Sequence, residues 1–420
     1  MPRRGLFSYE NALVLILGMT FGIVFFDRQA ASNLAPLIMK DLNLNNTQVG
    51  LIGSALSATW ALSAYLVGLL SDRTGKRKPI LILCVVGFSL SSLLSGIAHS
   101  FNMLLLSRFL MGLLEGGVMP ICLAIMTVES TESRRGFNNG VVQNGFSNLV
   151  GNMGGPIILA AMALAFGWRA SFFLSAIPGL LCAAAIWLWV KEPTKTESAV
   201  LESGKRADDM SLLDMFKVRN VLVCSLLAIF MVGWYICSLV FYPVYLANFR
   251  HIDLQTVGVL VSMFGAVAFL GGFMLPALSD RIGRRPVMIG ACFLSVVAPL
   301  SALYFTGPLP ILGFLIFIGS MGAGVFPLFM GTIPGESLPR RHIATAMGLV
   351  VGVGEIFGGT IAPLTGGWLA DHTSLGLKAP FVMMVGMAIL GGIISLFLTE
   401  TAPAKVGNRA IEENLAVTVV

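Results

Sequence analysis

Twelve long apolar runs constrain this chain more than any other feature of its sequence. Each run has about the 20 residues that a helix needs to cross a bilayer, and none shows the alternating pattern of a membrane-barrel strand. Only 11% of the 420 residues are charged and 56% are hydrophobic, which excludes soluble enzymes, nucleic-acid-binding proteins and secreted disulfide scaffolds. The sequence predicts an all-α membrane protein with twelve transmembrane helices, near residues 12–34, 49–70, 80–98, 102–126, 137–162, 169–190, 220–246, 255–277, 287–305, 309–333, 343–368 and 380–398.

The second half of the chain repeats the first. The segment Leu70–Arg77 (LSDRTGKR) recurs at Leu278–Arg285 (LSDRIGRR), 208 positions later. A second pattern, Gly112-x4-Gly117-Val-x-Pro, recurs from Gly319, 207 positions later. Two matches at nearly one spacing indicate a duplicated six-helix unit, which is a transporter architecture. We predict two pseudo-symmetric six-helix bundles at 1–190 and 219–400, joined by a polar linker at 191–218 and followed by a tail at 401–420.

Lysine and arginine residues are distributed unevenly between the two sides of the predicted bundle. Twenty-one of the 27 lie in the termini and in the loops that share a side with them, four lie in the opposite loops, and Arg28 and Arg108 lie within spans. By the positive-inside rule, both termini and the linker are cytoplasmic and the protein lies in the inner membrane. The same distribution explains the net charge of +6 without a nucleic-acid partner. The basic N-terminus resembles a signal sequence, but the apolar run after it contains Asp27 and no cleavage site, so it is a retained first span.

The six cysteines all lie inside apolar runs, with no CxxC pair and no nearby histidine. We interpret them as small buried apolar residues rather than metal ligands or disulfide partners. No metal, no cofactor and no catalytic residues are expected, because no nucleophile–base set or phosphate-binding loop stands out. The chain is not expected to be an enzyme, and a monomer in the lipid bilayer is expected.

The loop after the second run resembles the best-known motif of the major facilitator superfamily, and the repeat extends this resemblance over the whole chain. A glycine permits a tight turn there, an aspartate can cap or pair at a helix end, and basic residues hold the loop at the cytoplasmic face. We interpret the motif as structural, a latch between the halves. Its residues are Gly68, Asp72, Arg73, Gly75 and Arg77, with Asp280, Arg281, Gly283 and Arg285 in the second repeat.

Three further segments resemble the anion:cation symporter family, which includes proton-coupled sugar-acid carriers. They are Phe26-Asp27-Arg28 in span 1, Arg108 followed seven residues later by Glu115 in span 4, and Pro243-Val-Tyr-Leu at the end of span 7. An Asp-Arg pair in span 1 also resembles the spinster-type lipid transporters. The combined pattern implies carriage of a small organic anion.

Five ionisable residues lie deep within spans: Asp27, Arg28, Arg108, Glu115 and Glu355. Each costs about 2.5 to 3.5 kcal/mol at the bilayer centre, so such residues face a wet cavity or a partner. All four histidines lie at span ends or in loops, so proton coupling has to use carboxylates. Static ion pairs between helices are the alternative interpretation. Seven residues separate Arg108 from Glu115, which places both on one helix face about 10 Å apart along the axis.

The family resemblance implies roles for these residues. Arg28 would bind the substrate carboxylate, and Asp27 and Glu115 would be the protonation sites. Arg108 would be a second anion contact or the partner that releases the Glu115 proton. Trp60 lies where sugar-acid carriers of the family have a substrate-touching tyrosine.

Polar residues of spans 5, 7 and 11 complete the candidate site. Asn148 lies near the family's amide contact, and it either contacts the substrate or only joins helices. Its repeat mate is Glu355, where the family usually shows an amide, so Glu355 is a third titrating site, a contact for a substrate amino or hydroxyl group, or a partner for an arginine. Tyr235 and Tyr242 in span 7 either offer hydroxyls to the substrate or pack as aromatic rings.

The sequence thus predicts a proton-coupled symporter of a small organic carboxylate that works by alternating access. The alternative is proton-driven efflux of a drug-like or lipid-like amphiphile. Span 5 carries Gly151-x3-Gly155-Pro, a partial form of a pattern in drug:proton antiporters. Small residues at this spacing also serve close helix packing, so the pattern weighs little toward export.

Overall fold

The computed structural model describes residues 8–192, 212–339 and 342–406, and within them the regular structure is helical throughout. Eleven helical stretches of these residues are long and apolar enough to cross a membrane. Helices satisfy their own backbone hydrogen bonds, which is why they suit a bilayer. The first four are α1 (Tyr9–Leu42), α2 (Asn46–Thr74), α3 (Arg77–Gly96) and α4 (Phe101–Glu129). The last six are α7 (Arg219–Phe249), α8 (Leu254–Ile282), α9 (Arg284–Tyr304), α10 (Leu309–Glu336), α11 (Thr345–His372) and α12 (Gly376–Ser395).

The remaining stretch, Arg135–Trp189, contains two of the predicted spans. Gly167 interrupts it with φ 81° and ψ 161°, a backbone conformation that residues with a Cβ rarely adopt. We therefore name residues 135–166 α5 and residues 168–189 α6. The twelve-helix prediction is confirmed.

Two compact units make up the described chain. The first contains α1 to α6 together with 239–266 and 363–377. Its interior includes large apolar side chains that are fully or almost fully buried, such as Leu17, Phe21, Phe88, Met126 and Phe172. The second contains 212–238, 267–339, 342–362 and 378–406, and its interior includes Met231, Phe329, Phe381 and Met384. The predicted bundles at 1–190 and 219–400 remain a prediction, and much of the linker and of the tail lies outside the described residues.

A hydrogen-bonded contact within the first unit joins the end of α11 to the start of α2. The Asp371 carboxylate accepts from the backbone nitrogens of Asn46 (3.2 Å) and Thr47 (2.7 Å), and from the side chains of both residues (2.8 and 2.6 Å). The acid thereby occupies the helix N-terminus, where unpaired N–H groups and the helix dipole favour a negative charge. We call this contact the Asp371 clasp.

Two wide-turned segments interrupt the α-helical geometry at related positions of the two repeats. Residues Val141–Gly154 of α5 and Gly354–Ile361 of α11 are π-helical. The second segment corresponds to 147–154 at the repeat spacing of 207. Single π-turns are rare and occur frequently at functional sites, and these two segments contain Asn148 and Glu355.

All six cysteines are free, and five of them are buried, while Cys182 is half-buried. This burial agrees with the interpretation of these residues as small apolar packing residues, which stays a prediction.

Candidate functional site

Asp27 and Arg28 of α1 point to different surroundings, as expected for neighbours on a helix. Asp27 is fully buried. Its Oδ1 accepts hydrogen bonds from the hydroxyls of Ser92 on α3 (2.9 Å) and Ser175 on α6 (2.6 Å). Its Oδ2 is buried without a hydrogen-bond partner among the described residues. The acid therefore lies inside the helix packing of the first unit.

Arg108 is also fully buried and lies beside Asp27. Its Nη1 donates to the Asp27 backbone carbonyl (3.3 Å), and its Nη2 donates to the Ser95 hydroxyl. Its Cζ lies 5.1 Å from the centre of the Phe172 ring. The guanidinium thus binds a backbone carbonyl, a hydroxyl and an aromatic face, and it hydrogen-bonds neither oxygen of the Asp27 carboxylate.

Glu115 ends the first straight part of α4, seven residues after Arg108. It is fully buried, and neither of its carboxylate oxygens has a hydrogen-bond partner within the described chain. Its charge interacts with those of Arg28, Asp27 and Arg108. Four of the five charges that the sequence singled out therefore form one electrostatic cluster in the first unit.

Arg28 is held against α2. Its Nη2 donates to the Ser57 hydroxyl (3.3 Å), and its Cζ lies 4.9 Å from the centre of the Trp60 ring and 5.9 Å from that of Phe25. Such cation–π contacts stabilise a guanidinium in a fixed orientation. Trp60 is 5% exposed, and its Nε1 has no hydrogen-bond partner in the part of the chain that the structure describes. Trp60, the predicted substrate contact, thus orients Arg28, the predicted anion-binding residue.

Glycines bring α2 and α4 into backbone contact beside this cluster. A Cβ at Gly112 would overlap the Leu56 carbonyl oxygen, and a Cβ at Gly116 would overlap the Trp60 carbonyl oxygen. Close packing at residues four apart is the usual role of small residues in membrane helices. It fixes the position of Trp60 relative to Glu115.

Asn148 belongs to a row of amides between α5 and α1. Its Oδ1 accepts from Asn152 Nδ2 (2.7 Å), and its Nδ2 donates to the Asn144 carbonyl (2.9 Å). Gln29 Nε2 donates to Asn152 Oδ1, and Asn33 Nδ2 donates to the Gln29 carbonyl (3.1 Å). Asn152 therefore joins the two helices through Gln29, while the Asn148 amide hydrogen-bonds within α5 and supports Asn152. Sequence reasoning missed Gln29, although a glutamine directly after Asp27-Arg28 in an apolar run was a usable signal.

Three candidates remain, one on α11 and two on α7. Glu355 is half-buried at the start of the π-helical segment of α11, in the second unit. Tyr235, also in the second unit, packs edge-to-face on Phe326 with ring centres 5.3 Å apart. Tyr242, in the first unit, packs in the same way on Phe264 at 4.9 Å. Both tyrosines thus have aromatic packing partners.

The two motif loops turn on glycines and lead into acid-capped helices. Gly75 has φ 64° and Gly283 has φ 112°. The Glu192 carboxylate accepts from the backbone nitrogens of Arg77 (2.6 Å) and Lys78 (3.0 Å), the first residues of α3. In the second repeat, Glu400 accepts from those of Arg284 (2.7 Å) and Arg285 (3.2 Å), the first residues of α9. Sequence reasoning missed both acids, although their separation of 208 positions was a signal.

The structural counterpart of Arg77 is Arg284, not Arg285 as the sequence match at 208 positions indicated. Arg77 and Arg284 are buried and begin their helices, whereas Arg285 is exposed. Arg284 pairs with Asp280 (2.6 Å) and Glu336 (2.8 Å). The loop is one residue shorter in the second repeat, which explains why the repeat spacing changes from 208 to 207.

The latch role of the other motif residues stays a prediction. Arg73 and Arg281 are exposed at the ends of α2 and α8. Gly68 lies on α2, where a Cβ would be 3.9 Å from Pro120 of α4. The side chain of Asp72 lies outside the described part of the structure.

Comparisons with known proteins agree with this architecture. The profile of the Major Facilitator Superfamily matches residues 17–245 and 223–419. A probable 4-methylmuconolactone transporter of Cupriavidus pinatubonensis is 31% identical over 359 residues, which cover 83% of this chain and 81% of that protein. A hexuronate transporter of Bacillus subtilis is 25% identical over 405 residues, covering 92% and 94%.

A solved structure shares the fold. The crystal structure of a D-xylose–proton symporter superimposes with a TM-score of 0.76 at 17% identity, covering 94% of this chain and 99% of that one. The match of the superfamily profile extends over most of the chain. This chain therefore belongs to the major facilitator superfamily, as a multi-pass membrane transporter and not an enzyme.

Proposed function

We propose that this chain carries a small organic carboxylate across the cytoplasmic membrane together with protons. The observation that carries the proposal is the placement of Arg28 over Trp60, in electrostatic contact with the buried and unbonded carboxylate of Glu115. The transporters of 4-methylmuconolactone and hexuronate that this chain is similar to support the same class of substrate.

Arg28 is proposed to bind the substrate carboxylate. A guanidinium is planar and presents N–H donors in a fork that matches a carboxylate in a bidentate way. Trp60 and Ser57 hold this group from α2, so little side-chain freedom is lost on binding. Trp60 also has a ring N–H that can donate to the substrate.

Glu115 is proposed to couple this binding to a proton. A buried carboxylate without hydrogen-bond donors depends on nearby cations to remain ionised. When the substrate carboxylate takes up the charge of Arg28, Glu115 loses part of that compensation and its protonated form is favoured. Substrate and proton would then bind together, which is the requirement for symport. Asp27 is proposed as a second proton site, and Arg108 as the cation that controls both acids.

Both termini are proposed to lie in the cytoplasm, as the excess of lysine and arginine in the corresponding loops indicates. Two six-helix halves would rock about a midplane site to expose it alternately to the two sides. Glu355, the repeat mate of Asn148, is proposed to contribute to this site from the second half, as a substrate contact or a further proton site.

Uptake into proteoliposomes tests the proposal. The purified protein is first screened by thermal shift against organic acids at one acidic and one near-neutral pH, and the stabilising acid is then used in radiolabelled form. We expect accumulation when the outside is acidified, competition by other carboxylates, and proton entry with the substrate. Stabilisation by hydrophobic amphiphiles but by no carboxylate would overturn the proposal in favour of efflux.

A further inference from the structure

We propose that Ser92 and Ser175 act as a two-hydroxyl switch that positions the Asp27 carboxyl group and adapts to both of its protonation states. This inference deepens the proposed function, since it assigns two positioning residues to one of the proposed proton sites. Neither serine belongs to the sequence motifs of the chain.

The hydroxyls of Ser92 and Ser175 converge on one oxygen of Asp27. The two serine oxygens lie 2.9 Å apart, and both lie within hydrogen-bond distance of the same carboxylate oxygen, Asp27 Oδ1. Each hydroxyl has one hydrogen to donate. Two donors on one oxygen stabilise a negative charge, so this arrangement suits the ionised carboxylate.

A second acceptor lies within reach of both hydroxyls. The backbone carbonyl of Phe172 is 3.2 Å from Ser92 Oγ and 3.0 Å from Ser175 Oγ. When Asp27 gains a proton, either hydroxyl can rotate its hydrogen to this carbonyl without moving a heavy atom. The serines then remain satisfied in both states, which matters because an unsatisfied buried donor is costly.

The two serines, rather than Arg108, donate the hydrogen bonds to the Asp27 carboxylate. Arg108 on α4 donates to the Asp27 backbone carbonyl and to Ser95. Glu115, also on α4, interacts with Asp27 through its charge, and Arg28, the next residue on α1, donates to Ser57 of α2. Within the described chain, the hydrogen bonds to the carboxylate itself come from Ser92 and Ser175.

Infrared titration of the full-length protein in detergent tests the switch. The protonated-carboxyl band of Asp27 is assigned by its loss in Asp27→Asn, and its pH midpoint is compared in the native protein, Ser92→Ala and Ser175→Ala. Each alanine removes one donor to the ionised form, so we expect the midpoint to rise by about one pH unit. Ser175→Thr keeps a hydroxyl and should keep the native midpoint.

Each helix supplies a matched control serine. Ser89 on α3 and Ser171 on α6 are fully buried, and their hydroxyls donate to the carbonyls four residues earlier in the chain, those of Val85 and Gly167. Ser89→Ala and Ser171→Ala should leave the midpoint unchanged. Equal midpoints in the test and control variants, or an Asp27 band that does not titrate while the protein stays folded, would overturn the inference.

Transport measurements separate this inference from the proposed function. If Asp27 carries a coupled proton, the pH profile of uptake shifts with the infrared midpoint in Ser175→Ala. If uptake by the native protein does not respond to an imposed proton gradient, the coupling proposal fails. The infrared midpoints still decide whether the two serines control the protonation of Asp27.

Discussion

The guanidinium of Arg28 lies over the indole ring of Trp60, with Arg28 Cζ 4.9 Å from the ring centre. The arginine comes from α1 and the tryptophan from α2, so the contact orients a cation from one helix by an aromatic face on the next. Because α2 is packed against α4 through Gly112 and Gly116, the orientation of Arg28 depends on three helices.

Replacing Arg28 should abolish carboxylate binding. Arg28→Lys keeps the positive charge but loses the planar fork, so we expect affinity to fall at least about tenfold, and Arg28→Ala should bind no measurable substrate. Thermal shift, and competition with the organic acid that stabilises the native protein, measure the affinity of both variants. Near-native affinity of the lysine variant would contradict bidentate binding.

Removing the aromatic face of Trp60 should weaken binding less than removing Arg28. A cation–π contact contributes about 0.5 to 2 kcal/mol, so Trp60→Leu should raise the dissociation constant about 2- to 30-fold. Trp60→Phe keeps a ring and should lose less. Trp189, which is 62% exposed, provides the control Trp189→Leu, and an equal loss in both leucine variants would contradict a specific role for Trp60.

Glu115→Gln should uncouple substrate movement from protons. Glutamine is nearly isosteric with the protonated acid but cannot release a proton, so exchange of internal for external substrate should continue while accumulation under a proton gradient is lost. Glu132→Gln, at an exposed loop position, is the control. Gradient-driven accumulation by Glu115→Gln would show that another group couples transport.

Glu355→Asn should change the range of substrates more than the coupling. Glu355 lies in the π-helical segment that corresponds to the one containing Asn148, and asparagine removes a negative charge that disfavours anions. Competition profiles with neutral, hydroxylated and amino-substituted acids measure the effect, and Glu355→Gln controls for side-chain length. An unchanged profile would refute the assignment.

The acids that cap α3 and α9 should contribute equally to stability. Glu192→Gln and Glu400→Gln each weaken hydrogen bonds to two backbone nitrogens at a helix N-terminus. We expect each to lower the free energy of unfolding by about 1 kcal/mol, measured by titration with sodium dodecyl sulfate in mixed micelles. A loss confined to one of the two would contradict an equivalent role in the repeats.

The helices, the repeat and the cluster of buried charges were predictable from the sequence. Moving a long apolar run into water, or a charge into the bilayer, costs much free energy, so few arrangements of the chain avoid both costs. The seven-residue spacing of Arg108 and Glu115 predicted that both share a face of α4, and both are fully buried, with Arg108 hydrogen-bonded to the Asp27 carbonyl. Glycines in the loop motif likewise predicted the turns at Gly75 and Gly283.

The hydroxyls around Asp27 could not be recognised from the sequence. A serine within a membrane helix can always donate to the carbonyl four residues earlier in the chain, as Ser89 and Ser171 do. Which serine turns instead toward another helix depends on packing that no local pattern records. The π-helical segments of α5 and α11 were not predicted either, since the sequence shows no proline at their starts and the glycines there are also compatible with an ordinary α-helix.

The Asp371 clasp joins residues 325 positions apart in the chain and consists of four hydrogen bonds from Asn46 and Thr47. If alternating access separates these two helix ends, the Asp371 carboxylate has to leave the N-terminus of α2 and become hydrated in one part of each transport cycle, and bind there again in the other. Asp371→Ala would then lower the share of the protein in the state that contains the clasp, and would change the apparent affinity for the substrate to the extent that the two states bind it differently.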